Sequence, residues 1–256
     1  MMRTQLLPGL VSALARNAAR QQVRVRLFEL GNVFSRGDSG HGTGGTAAPL
    51  ETLRIAAVAC GDATSEQWGE PSRQIDFHDL KGDLDSVAAT AGATLAYRPS
   101  GAAWGHPGRS ADVFRDGQRI GWIGQLHPQL QEALGLAVDV VAFELDFEPL
   151  LQRKVPDARP LSRFPSVRRD LAFVVADTVP WEAIAESVRT AAGPCLQDLR
   201  LFDRYVGKGV ETGFKSLAMG LILQDESRTL TDRDVDAVVA DVAAALQREH
   251  GARIRE

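Results

Sequence analysis

The stretch Phe214-Lys215-Ser216-Leu217-Ala218-Met219-Gly220-Leu221-Ile222-Leu223 alternates large apolar residues with small ones. Successive side chains of a β-strand point to opposite faces. Period two therefore puts Leu217, Met219, Leu221 and Leu223 on one face, and Ser216, Ala218 and Gly220 on the other. The segment Asp170 to Val175 sorts the same way, with Leu171, Phe173 and Val175 opposed to Asp170, Ala172 and Val174. A sheet with one strongly apolar face needs a covering layer, and two amphipathic helices supply it. One runs from Trp181 to Ala192, preceded by Pro180 and closed by Gly193-Pro194. The other runs from Thr231 to His250, with Val235, Val238, Val239, Val242, Ala245 and Leu246 on one stripe. Its Thr231-Asp232-Arg233-Asp234 start sets a capping hydroxyl before acidic residues, which suits a helix N-terminus. Leu196 to Tyr205 is a further strand, and Ala252 to Arg255 can return as a short edge strand. The order is β-α-β-β-α-β, the ferredoxin-like plan. Both helices then belong on one face of the sheet, and the face of small side chains stays open.

Such a face lets a planar base come close, or it packs against another domain. Leu201-Phe202-Asp203-Arg204-Tyr205 favours the first use. A tyrosine can stack on a base, and a carboxylate can accept from a guanine edge. Arg163, Arg168, Arg169, Arg200, Arg204, Lys208 and Lys215 gather around the strand ends, while acidic residues concentrate from Asp225 to Asp241. That polarity predicts a basic side turned to phosphates. One detail conflicts with the pattern: Asp203 and Tyr205 share the parity of Leu199 and Leu201, which belong to the core. They reach solvent only through a β-bulge, which re-aims side chains, or if the sheet face ends before Asp203.

Upstream, the chain reads as a second α+β domain. Leu7-Pro8-Gly9-Leu10-Val11, continuing through Leu14 and Ala18, has helical spacing, with proline in the first turn where it is tolerated. Val23 to Leu30, Leu53 to Cys60 and Val140 to Phe147 are strands; Phe77 to Ala91 is a helix with Leu80, Leu84, Val87 and Ala88 on one side. Arg109 to Arg115 and Arg119 to Leu126 flank Asp116-Gly117, a hairpin signal. Many antiparallel strands with few helices predict an α+β architecture. Gln152 to Pro160, with Pro156 and Pro160, reads as an inter-domain linker. The domains are therefore expected at residues 1–153 and 160–256. Ser35 to Pro49 reads as a surface loop.

Composition narrows the function. The 256 residues suffice for two ordinary domains, and the net charge of -4 argues against a partner held by bulk electrostatics alone. Single-stranded bases held by stacking and edge hydrogen bonds need few charges. Cys60 and Cys195 are far apart and fit a reducing compartment, and no signal peptide or membrane-spanning run is read, so the expectation is a cytoplasmic protein. Gly40-His41-Gly42-Thr43-Gly44-Gly45 lacks the lysine and strand-to-helix setting of a phosphate loop. The histidines show no metal spacing, no Ser or Cys sits in a nucleophile motif, and His78, Asp79 and Lys81 are explained by the helix they enter. His106 and His127, each followed by proline, read as turn residues.

Several separated motifs carry a family resemblance. Arg163-Phe164-Pro165-Ser166-Val167-Arg168-Arg169-Asp170-Leu171-Ala172, Phe202-Asp203-Arg204-Tyr205, Gly207, Gly213-Phe214-Lys215-Ser216-Leu217 and Arg228-Thr229-Leu230-Thr231-Asp232 resemble, in order, the ferredoxin-fold anticodon-binding domain of the bacterial phenylalanyl-tRNA synthetase β subunit. Met2-Arg3-Thr4-Gln5-Leu6-Leu7-Pro8-Gly9-Leu10, Leu27-Phe28-Glu29-Leu30-Gly31, His78-Asp79-Leu80-Lys81-Gly82, His106-Pro107-Gly108-Arg109 and Ile123-Gly124-Gln125-Leu126-His127-Pro128 are similar to its class II synthetase-like domain, with Gln5 where the family has a serine. The resemblance implies a C-terminal fragment or separately encoded piece of that subunit, non-catalytic by itself, within an α2β2 ligase. Phenylalanine activation then occurs on the α subunit. No cofactor is expected on this chain, and ATP and Mg serve the complete enzyme. The implied anticodon contacts are Ala172, Asp203, Tyr205 and Ser216, with Tyr205 stacked on the first anticodon base and Asp203 and Ser216 bonded to its edge. Arg168, Arg169 and Lys215 are added as candidates for phosphate contacts. The competing reading is a ferredoxin-like regulatory or protein-interaction module on a synthetase-like scaffold, without RNA binding. A standalone ligase is a third.

Overall fold

A computed structural model describes residues 2–36, 48–153 and 162–255. The chain divides into two units, Met1–Asp157 and Ala158–Glu256. Of the Gln152–Pro160 linker stretch, residues 154–160 lie outside the described residues, as do residues 37–47 of the glycine-rich loop, including Gly40 to Gly45.

The first unit is built on a six-stranded antiparallel sheet. Its elements are α1 (Leu7–Ala18), β1 (Val25–Ser35), β2 (Leu50–Cys60), α2 (Phe77–Thr90), β3 (Leu95–Pro99), β4 (Gly105–Arg115), β5 (Gln118–Leu126), α3 (Pro128–Ala133), β6 (Val140–Asp146) and α4 (Glu148–Leu151). The strand order is β1-β2-β6-β5-β4-β3. Helix α1 buries Leu7, Leu10, Val11 and Leu14 against Ala56, Val58, Trp122 and Val140 on one face. Helix α2 buries Leu80, Leu84 and Ala88 against Ile123, Val141, Phe143 and Leu145 on the other. Each such leucine stabilises the unit by about 1.5–3 kcal/mol. Strand β3 is absent from the sequence-based assignment, and β1 extends five residues past Leu30.

Local chemistry fixes the element ends. Leu6 offers α1 no side-chain cap, so the buried Glu144 carboxylate of β6 accepts from the Leu6 and Leu7 amides, each at 3.0 Å. Arg54 balances that carboxylate at 3.1 Å. Asp76 caps α2, and Asp79 completes the box by accepting from the Asp76 amide. Asp116 and Gly117 both adopt positive φ, 48° and 82°, the geometry a two-residue hairpin between β4 and β5 requires.

The second unit contains β7 (Val167–Ala176), α5 (Trp181–Ala192), β8 (Leu196–Tyr205), β9 (Phe214–Leu223), α6 (Asp232–His250) and β10 (Arg253–Arg255). A short 3-10 turn, Gly193–Cys195, joins α5 to β8. The sheet order is β10-β7-β9-β8, all antiparallel, which is the ferredoxin-like arrangement. Leu171, Phe173, Val175, Leu217, Met219, Leu221 and Leu223 pack with Ile184 and Val188 of α5 and with Val235, Val242 and Leu246 of α6. Both helices therefore cover one face. The α+β class is as the sequence pattern predicts. Thr231 and Asp234 form the capping box of α6, and Gly251 closes it in the left-handed conformation at φ 63°.

Candidate nucleic-acid interface

The face away from α5 and α6 is floored by small residues. Ala172 stands opposite Ala218, Val174 opposite Ser216, and Asp170 opposite Gly220. Residues paired across neighbouring strands project to the same side, so these pairs form rows across β7 and β9. Strand β8 extends the rows through an irregularity. Leu199 pairs with Leu221 and Leu201 with Met219, both in core register, but the next pairs are Asp203 with Ala218 and Tyr205 with Ser216. Phe202 is the extra residue. This is a β-bulge, with two residues on β8 against one step of β9. It moves Asp203 into the Ala172–Ala218 row and Tyr205 into the Val174–Ser216 row. The parity conflict of the sequence is thus resolved by one inserted residue.

Side chains on this face are held in place. Tyr205 is 42 % exposed, and its hydroxyl donates to the Lys208 carbonyl at 3.2 Å. Gly207 makes room for it, because a Cβ there would stand 2.7 Å from the Tyr205 hydroxyl oxygen. Arg168 pairs with Asp170 at 2.7 Å and lies 5.4 Å from the centre of the Phe202 ring. It crosses β9 where Gly220 has no side chain; a Cβ there would meet Arg168 Nε and Asp170 Oδ1 at 3.1 Å each. Arg253 of β10 pairs with Glu211 at 3.0 Å and lies over Phe214, while Arg255 donates to Ser216 Oγ at 3.2 Å.

The charges are largely neutralised. Arg200 pairs with Asp198 at 2.7 Å and holds that carboxyl below its usual range, and Arg253 does the same to Glu211. The face is a small-residue floor that carries the exposed Tyr205, the Asp203 carboxylate and the Ser216 hydroxyl, with Arg168, Arg200 and Arg253 each paired to a carboxylate.

Of the seven residues singled out in the sequence, the structure places Arg168, Ala172, Asp203, Tyr205 and Ser216 on this face. It does not place Arg169 and Lys215 there. Arg169 stands opposite Leu221, in core register, and pairs with Asp232 at the start of α6 at 3.2 Å. Lys215 stands opposite Val175, is 8 % exposed, and donates to the Asp177 and Val179 carbonyls at 2.8 and 2.6 Å. Burial lowers its pKa. Both are expected at phosphates from sequence; instead Lys215 is buried on the helix side, and Arg169 forms a solvent-exposed pair at the start of α6. Arg204 follows them, opposite Leu217 and paired with Asp177 at 2.9 Å. The expected single basic side therefore does not form. Two further residues of this face, Phe202 as the bulge residue and Arg255, are not among the candidates that the sequence offers. Two adjacent residues competing for one face, Phe202 and Asp203, were the available signal for the first; nothing local signalled the second.

In the first unit, the residues that invited an acid–base reading serve structure. Asp79 belongs to the α2 capping box and pairs with Arg73 at 2.7 Å; Arg73 lowers its carboxyl to about 2. Lys81 pairs with Asp85 at 2.6 Å and lies over the Tyr97 ring at 4.4 Å. Burial, then Asp85, pushes the Tyr97 phenol above its usual range. His127 caps α3 by accepting from the Gln129 amide at 3.2 Å, and His106 accepts from the Gly108 amide at 3.1 Å. Among the described residues no cluster of His, Cys, Asp and Glu has the arrangement of a metal site.

Comparison with known proteins agrees with both units. Residues 1–147 match the family model of the phenylalanyl tRNA synthetase beta chain CLM domain, and residues 162–255 match the ferredoxin-fold anticodon binding domain. The chain is 65 % identical over 255 residues to the phenylalanine–tRNA ligase beta subunit of Xanthomonas axonopodis pv. citri (strain 306). It is 60 % identical over 254 residues to that of Xylella fastidiosa (strain Temecula1 / ATCC 700964). Each alignment covers 99 % of this chain and 31 % of the relative, so the chain spans about a third of the length of these proteins. With one family model covering each unit and close relatives along nearly its whole length, the chain belongs to the phenylalanyl-tRNA synthetase beta subunit family.

Proposed function

We propose that this chain is the tRNA-binding and subunit-assembly portion of a phenylalanine–tRNA ligase, with residues 160–256 as its anticodon-binding domain and residues 1–153 as a synthetase-like domain that is not catalytic by itself. The observation that carries the reading is the bulge at Phe202, which brings Asp203 and Tyr205 onto the same face as Ala172 and Ser216. A base stacked on Tyr205 would lie over the Ala172–Ala218 floor, where no large side chain obstructs it. Asp203 accepts from the N–H groups of its edge, and Ser216 supplies a hydroxyl. Arg168, on the same face, is the remaining candidate for a phosphate contact.

In this reading the partners are tRNA-Phe and the α subunit of an α2β2 enzyme, and ATP and magnesium enter the reaction of the complete enzyme. The relatives' printed name, phenylalanine–tRNA ligase beta subunit, supports this assignment. Among the described residues no helix is long and apolar enough to cross a membrane, and the reading places the chain in the cytoplasm. Titrating the chain with tRNA-Phe and with an anticodon-substituted tRNA, at moderate salt, tests it. The reading predicts weaker binding of the substituted tRNA. Equal affinity for the two would return the ferredoxin-like unit to the role of a protein-interaction module.

A further inference from the structure

Strand β10 is only three residues long, yet it sends two arginines onto the open face. Arg255 stands opposite Ala172 at the sheet edge, and its guanidinium reaches past β7 to Ser216 Oγ on β9. The path is open because the intervening side chains on that face, Ala172 and Val174, are small. Arg168, Arg200 and Arg253 each have a carboxylate partner on or beside this face, Asp170, Asp198 and Glu211. Among the described residues no carboxylate pairs with Arg255, which donates to the serine.

That bond decides what the serine can offer. A hydroxyl has one proton to donate and two lone pairs to accept with. Guanidinium can only donate, so Arg255 occupies a lone pair of Ser216 and leaves the proton free. Among the described residues the Ser216 hydroxyl donates to no partner, and the residue is 8 % exposed, so water has little access. A cationic donor on the oxygen also polarises the O–H and makes it a better donor.

Resting on the anticodon-binding reading, we infer that Arg255 is a positioning residue that sets Ser216 as a hydrogen-bond donor and thereby tunes the choice of base. The Tyr205–Ser216 row then presents a donor, and the adjoining Asp203–Ala218 row presents an acceptor. A guanine edge offers the complement, an O6 acceptor beside N–H donors, whereas adenine carries an amino donor where guanine has O6. Arg255 acts through Ser216 without touching the base.

The test uses the full chain and two RNA hairpins carrying the phenylalanine anticodon loop, with guanine or adenine at the first anticodon position. The readout is the ratio of their affinities. Arg255→Ala should lower the ratio about tenfold, as loss of one charge-assisted hydrogen bond does. Ser216→Ala should lower it similarly, and the double variant should fall no further, since the two residues act as one unit. Arg255→Lys, which keeps a cationic donor, should retain part of the ratio. If Arg255→Ala weakens both hairpins equally, or if its effect multiplies with that of Ser216→Ala, the positioning role is overturned while the anticodon reading survives. If the unaltered chain does not distinguish the hairpins, both fall.

Discussion

Asp203 stands opposite Ala218 in the sheet, whereas Leu201, two residues earlier, stands opposite Met219. Two residues on β8 therefore span one step on β9, and the side chain of Asp203 emerges on the open face instead of among the leucines. The bulge costs one ladder step and gains a carboxylate and a tyrosine beside a floor of alanines. Everything proposed for this face depends on that register.

Deleting Phe202 removes the extra residue, so Leu201 opposite Met219 is followed directly by Asp203 opposite Ala218; Asp203 and Tyr205 should keep the open face, and first-base discrimination in hairpin binding should survive. Phe202→Ala keeps the residue count and should preserve discrimination. Its cost should be a loss of about 0.5–1 kcal/mol in urea unfolding, from the missing Arg168–ring contact.

Tyr205→Ala should weaken binding of the cognate hairpin by about 1–3 kcal/mol, the range for one base stacked on an aromatic ring. Filling the floor should act in the same direction. Ala218→Leu raises a branched side chain between Ala172 and Asp203 and should reduce affinity about tenfold if it displaces the stacked base. Being on the open face, it should change thermal stability by no more than about 1 kcal/mol.

Lys215→Met separates a structural lysine from an RNA-binding one. It removes the donor to the Asp177 and Val179 carbonyls and should cost about 1–3 kcal/mol of stability. The slope of binding affinity against salt concentration should stay unchanged, because no phosphate contact is lost. Arg168→Ala should do the opposite, making that slope shallower with a small effect on unfolding.

Acid should weaken the first unit through Asp79. Arg73 holds this carboxyl at about 2, below its ordinary value of 3.8. The unfolded chain binds the proton more readily, so the contribution of Asp79 is complete above its ordinary value and is lost as pH falls between roughly 4 and 2. Asp79→Asn should flatten the urea midpoint across that window. Asp76→Ala, which removes the cap itself, should lower stability by about 1 kcal/mol at neutral pH.

The residues that sequence reading placed well are those whose environment is set by period. Leu217, Met219, Leu221, Leu171 and Phe173 alternate without interruption, and their strands pair in continuous register. The same alternation carried information about Lys215 and Arg169, which share parity with Leu217 and Leu171. Parity prevails over charge: both side chains lie on the helix side, satisfied by carbonyls or a carboxylate. The bulge was legible only as a conflict, because period two detects an inserted residue but does not say where the strand absorbs it. Arg255 is legible as part of a returning edge strand, but its reach to Ser216 is not, since that depends on how far the side chain extends across β7.

The account rests on where the RNA sits. A photoreactive nucleotide at the first anticodon position, crosslinked to the full chain and mapped by peptide mass spectrometry, tests this most directly. Crosslinks should fall on β8 at Phe202 to Tyr205 and on β9 at Ser216 to Ala218. Crosslinks confined to α5, α6 or the first unit would contradict the account.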